Sequence, residues 1–155
     1  MKIEKFDAAV EIAPPEPGDT GVFLDRAYKY LRDITSFPSY MQNVTRITEE
    51  KSSDETYHHW EILVDDAEFQ WKQKTVHDAE NRAIQFTMVE GDFEKLEGAW
   101  TVATDGPRHS LQLQMKYSIG LPVLEDVLGP VLKEKLQSNV YDMLNSIKER
   151  LEVDQ

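Results

Sequence analysis

Apolar and polar residues alternate between Phe6 and Ile12, with Phe6, Ala8, Val10 and Ile12 on one side and Asp7, Ala9 and Glu11 on the other. A period of two is that of a strand with one buried face, and Pro14, Pro15 and Pro17 end it. From Val22 to Asp33 the spacing becomes helical and brings Phe23, Ala27, Tyr30 and Leu31 together, and Thr35-Ser36-Phe37-Pro38 restarts a second short helix. The proline-rich connection containing Gly18 is expected to protrude as a loop. Turn signals at Ser52-Ser53-Asp54, Asp65-Asp66, Asp78 to Asn81, Gly91-Asp92 and Asp105-Gly106-Pro107 then recur at regular spacing, as in an antiparallel meander of seven strands in all. Ile84, Phe86 and Met88 mark the inner face of one strand, and Leu111, Leu113, Met115 and Tyr117 that of another.

After Gly120 the period switches to 3.6. Leu128, Leu132, Leu136, Val140, Met143, Leu144, Ile147 and Leu151 form a broad apolar stripe along one long helix, with Pro122 suited to its first turn. Proline in a helix interior removes a hydrogen bond and clashes with the preceding turn, so a bend is expected at Gly129-Pro130, with Pro122 to Leu128 moving to admit a ligand. The order of strand, two short helices, six strands and long helix is that of an α+β protein.

The 155 residues fit a single domain, 1–155, large enough to hold a core and an internal pocket. No apolar run reaches the length of a membrane span, and the first residues alternate where a signal peptide would be uniformly apolar, so a cytoplasmic protein is expected. The chain has no cysteine, which removes disulfides, thiol nucleophiles and thiolate metal sites together. Its formal net charge of −12 sets a repulsive field against nucleic acid and anionic membranes. His58 and His59 are adjacent on a strand and point to opposite faces, so they do not converge on one ion, and neither a metal nor a cofactor is expected.

The stretch from Glu90 to Trp100, EGDFEKLEGAW, joins two alternating runs through Gly91, Phe93, Leu96, Gly98 and Trp100. Gly98 within a strand marks close backbone approach or strong local bending, and the sheet should curl there. Together with SFPSYMQNV near the N-terminus and the helical C-terminus, this GxFxxLxGxW pattern resembles the START-like superfamily of polyketide cyclases/dehydrases and coenzyme Q-binding proteins. The resemblance implies a helix-grip fold of the START/Bet v 1 type, a curved seven-stranded sheet around the C-terminal helix with an apolar ligand cavity between them. It also implies a function: binding an apolar or aromatic small molecule, foremost a polyketide-like intermediate undergoing cyclisation or dehydration, with a polyketide synthase or its carrier protein as partner. A noncatalytic lipid or quinone carrier, and a protein-interaction module using the acidic surface, are the alternatives.

The strand from Phe69 to His77 carries the candidate chemistry, because Trp71, Gln73, Thr75 and His77 share a face by alternation. Aromatic walls with a few hydrogen-bonding groups are how small-molecule pockets hold flat or polyoxygenated ligands. Asn139 sits within the apolar stripe of the last helix, where a buried amide needs partners. Gln73, Thr75, His77 and Asn139 are therefore the candidates for orienting carbonyls or relaying protons. Trp60, Trp71, Phe86, Met88, Trp100, Met115 and Tyr117 are the candidate pocket walls from the sheet, and Leu128, Leu132 and Leu136 those from the helix. In aromatase/cyclases of the resembled superfamily, a tryptophan followed four residues later by an arginine lines the cavity, and the arginine is taken to hold the polyketide chain or stabilise enolate charge. Trp71 matches the tryptophan, but Thr75 stands at the arginine position and Lys74 should face outward. A hydroxyl supplies no fixed positive charge to a developing oxyanion. If that hydroxyl is reserved for ligand, replacing Thr75 with valine should cost affinity more than stability.

Overall fold

Each period-two segment of the sequence is a strand in the computed structural model, which describes residues 3–14, 19–120 and 122–153. β1 (Glu4–Ile12) leads to α1 (Thr20–Arg32) and a 3₁₀ turn at Ile34–Ser39. Six strands follow, β2 (Val44–Ser52), β3 (Glu55–Val64), β4 (Ala67–Asp78), β5 (Ala83–Gly91), β6 (Lys95–Asp105) and β7 (Arg108–Ser118), and then α2 (Pro122–Val153). All seven strands form one antiparallel sheet in the order β1-β7-β6-β5-β4-β3-β2. The loop expected around Pro15 to Gly18 lies outside the described residues.

The sheet curls where its ladder is interrupted. Register shifts fall between Val44 and Arg46 in β2 and between Lys72 and Gln73 in β4, and such irregularities bend a strand and increase its twist. Gly98 allows a close approach: a Cβ on it would overlap the carbonyl oxygen of Gln114 on β7 and stand 2.9 Å from the Phe86 ring on β5.

The short elements after β1 plug one end of the concave face. Asp19 caps α1 by accepting a hydrogen bond from the Val22 amide at 3.2 Å, and Phe23, Leu24, Ala27, Tyr28 and Leu31 form its buried side. Phe37 of the 3₁₀ turn is fully buried, its ring 6.0 Å from that of Trp60 and 5.8 Å from that of Trp100. α2 lays Leu136, Val140, Met143, Leu144, Ile147 and Leu151 against the sheet. Lys148 donates to the Glu11 carbonyl at 2.7 Å, and Lys133 pairs with Glu4 at 3.2 Å, which fastens the helix along β1. The helix runs through Pro130 without a break, so no second helix starts at that proline. A 32-residue helix absorbs the loss of one backbone bond.

Candidate functional site

Pairing of β3 with β4 sets Trp60 opposite Trp71 and His58 opposite Gln73, all facing the interior. The two indoles stack at 5.4 Å between ring centres with 11° between their planes. Phe93, carried into the interior by the turn between β5 and β6, meets Trp71 edge-on at 6.1 Å. One strand over, Glu49 of β2 lies opposite His58.

A chain of polar contacts runs across these strands. The Trp71 indole donates to Gln73 Oε1 at 2.9 Å, and Gln73 Nε2 donates to Thr75 Oγ1 at 3.0 Å. Thr75 Oγ1 is 2.8 Å from His58 Nδ1, and His58 Nε2 is 3.4 Å from a carboxylate oxygen of Glu49. A carboxylate only accepts, so the proton of neutral His58 belongs on Nε2; Nδ1 is then an acceptor and Thr75 spends its own proton on it. Every donor in the chain then points from Trp71 towards Glu49. Burial holds the His58 pKa below its ordinary value, partly opposed by the Glu49 charge, with His77 and His59 adding repulsion.

This arrangement changes what Thr75 does. Its hydroxyl is committed to Gln73 and His58, so Thr75→Val should leave two buried groups unpaired and cost about 1–3 kcal/mol of stability. Ligand affinity should change less, the reverse of the ordering expected from the sequence; chemical denaturation and a binding titration on one preparation would compare the two.

The same chain sets a pH dependence. His58 has a lowered folded pKa, so between the unfolded value near 6.5 and the folded value the unfolded state binds more protons. Stability should therefore be full above about pH 7 and fall as the pH drops through and below about 6.5. His77 is also held low, by partial burial and then by Arg32, and titrates in the same direction. Denaturation midpoints measured across this range should show a shallower slope in His58→Gln than in the wild type, and an unchanged slope would remove His58 as the source.

Beside the stacked indoles lies a cavity of about 40 Å³, closed over by α2. Of the side chains expected at the site, Trp60, Trp71, Phe86, Trp100, Met115 and Leu136 line it, with Gln73 and Asn139. Ile62, Phe93, Leu96, Leu113, Val140 and Met143 complete the wall and were not among the candidate pocket walls. The parity that turns Trp60 inward also applies to His58 and Ile62, and the stripe that contains Leu136 contains Val140 and Met143. Those signals were present in the sequence.

The remaining candidates sit elsewhere. Thr75 is buried in the polar chain behind the cavity, while His77, near the end of β4 and paired with Ile84, is exposed. Tyr117 is core, edge-on to Phe6 and Phe93, and burial with Glu4 nearby pushes its hydroxyl up to about 12. Met88 and Leu132 pack half-buried outside the cavity. The Leu128 side chain is outside those described. Asn139 holds the fold together, accepting from Asn43 Nδ2 at 3.2 Å and donating to the Leu63 carbonyl at 2.7 Å.

His58 is buried and His59 exposed, as alternation requires, and among the described residues no three His, Asp or Glu side chains cluster as a metal site. Lys74 points outward to Glu55 at 2.9 Å, so the described cavity lining has no cation. No helix of the described residues is long and apolar enough to cross a membrane.

Residues 21–144 match the family described as polyketide cyclase / dehydrase and lipid transport, and the chain belongs to that family. No curated protein matches it. Among solved structures it is similar to a Thermus thermophilus protein, with a TM-score of 0.83, 22% identity and coverage of 98% of this chain and 99% of that one. It is similar to the Zhui aromatase/cyclase of Streptomyces with a TM-score of 0.81, 15% identity and coverage of 97% and 94%. A START superfamily protein of Mycobacterium smegmatis matches with a TM-score of 0.75, 16% identity and coverage of 97% and 99%. At these identities the likeness is one of fold, the START/Bet v 1 helix-grip architecture.

Proposed function

We propose that the protein binds an apolar or aromatic small molecule between the sheet and α2, and that it steers cyclisation or dehydration of a polyketide-like intermediate held there. The observation that carries this reading is the aromatic-walled cavity at the centre of a fold whose family includes polyketide cyclases. Confinement supplies the catalysis, because holding a flexible chain folded brings its reacting carbons together at little entropic cost when reaction occurs. The described lining offers neutral groups only, so the reading gives no part to stabilisation of an enolate by a fixed cation. A cavity of about 40 Å³ is far below the roughly 300 Å³ at which small-molecule sites begin. Loading therefore requires the walls to yield, and unbranched Met115 and Met143 are the side chains best able to do so.

The test supplies purified protein to a minimal polyketide synthase and compares products with and without it. A changed ratio of cyclised products supports the reading, and an unchanged ratio removes the enzymatic half. The neutral lining also favours a second reading, a noncatalytic carrier of a lipid or quinone. Native mass spectrometry distinguishes it: a copurifying lipid or quinone together with an unchanged product ratio would establish the carrier.

A further inference from the structure

The two stacked indoles at the cavity differ in one respect. Trp71 Nε1–H is committed to Gln73 Oε1, in an amide orientation fixed by Thr75, His58 and the Glu49 carboxylate. Trp60 is 3% exposed and lines the cavity, yet its Nε1–H has no protein acceptor. Four buried side-chain polar atoms among the described residues lack a partner, and Trp60 Nε1 is the one that belongs to a cavity-lining residue. A buried donor without an acceptor costs free energy that an incoming acceptor recovers.

We propose that Trp60 Nε1–H is the specificity-determining donor of the site and that it selects a neutral aromatic ketone, taking the carbonyl oxygen while the aromatic wall takes the rings. This deepens the proposed binding function and rests on it. The acceptor is a carbonyl for two reasons. The described lining has no cation, so a carboxylate or phosphate would be desolvated without compensation. The space beside the indoles, about 40 Å³, accommodates a group of one or two heavy atoms before any wall moves. The N–H itself is buried, so the ketone oxygen reaches it as the aromatic wall shifts.

The experiment compares acetylnaphthalene with isopropenylnaphthalene, in which a methylene group replaces the carbonyl oxygen at nearly the same shape. Binding is read from tryptophan fluorescence, since all three tryptophans of the chain line the cavity. The wild type should bind the ketone about 3- to 10-fold more tightly than the hydrocarbon, the worth of one neutral hydrogen bond. Trp60→Phe should bring the two affinities together chiefly by weakening the ketone. NMR gives a second readout. One of the three indole N–H resonances should move downfield with the ketone and stay in place with the hydrocarbon, and its disappearance in Trp60→Phe assigns it. Equal affinities in the wild type, or discrimination that survives Trp60→Phe, would overturn the proposal. If neither compound binds, the cavity-binding function itself fails.

Discussion

Gly98→Ala is expected to lower the melting temperature by about 6–12 °C. Gly98 sits between Phe86 on β5 and Met115 on β7, and the added Cβ overlaps the Gln114 carbonyl oxygen, a backbone atom that cannot rotate away. Overpacking against a rigid neighbour costs about 3 kcal/mol, and each kcal/mol shifts a chain of this size by about 2–4 °C. Relief would require β6 and β7 to part at the bend that also shapes the cavity, because Phe86, Leu113 and Met115 around Gly98 all line it. Thermal unfolding followed by circular dichroism checks this. A loss below about 1 °C would mean that the sheet is not held closely at Gly98.

Trp71→Ala should damage both fold and binding. The side chain stacks on Trp60, meets Phe93 edge-on and donates to Gln73, so its removal opens a large void and frees an amide oxygen in the interior. Large-to-small changes of this kind cost about 3–5 kcal/mol, a substantial share of the roughly 5–15 kcal/mol that holds such a protein folded. Loss of an aromatic wall should also weaken an aromatic ligand by about tenfold or more. Trp71→Phe is the informative companion. It keeps a ring, deletes the indole donor and should cost about 1 kcal/mol of stability while retaining most affinity. Denaturant titration and ligand titration of both variants would separate wall from donor, and equal effects of the two substitutions would count against an aromatic wall at this position.

Most of the architecture was legible because its signals are local. Period-two runs with turn residues between them locate all seven strands, and the 3.6 stripe after Gly120 locates α2. Inward direction followed by parity, which is why Trp71, Gln73 and Thr75 were correctly put on one face. What a side chain touches on the neighbouring strand is set by register, and register depends on turns and bulges that alternation does not encode. For that reason Thr75 was read as facing a ligand, whereas its diagonal neighbour His58 takes its proton. Asn139 was legible as a buried amide in need of partners, but those partners, Asn43 and the Leu63 carbonyl, come from distant segments. Leu132 and Tyr117 show the limit of a stripe or a face: both lie on the apolar side, yet a cavity of this size touches only part of it. Phe93 was visible within the EGDFEKLEGAW motif as one of the residues joining two alternating runs, and only the return of the chain from β5 to β6 brings it against Trp71.

The methyl resonances of the methionines test the proposed binding site most directly. Met115 and Met143 line the cavity, and Met88 packs outside it. Titration with an apolar aromatic compound should move the Met115 and Met143 methyls upfield together and saturably, through the ring current of a ligand held between the sheet and α2, with Met88 unmoved. A shift confined to Met88, or no saturable shift of Met115 and Met143 with any aromatic ligand, would contradict binding at this cavity.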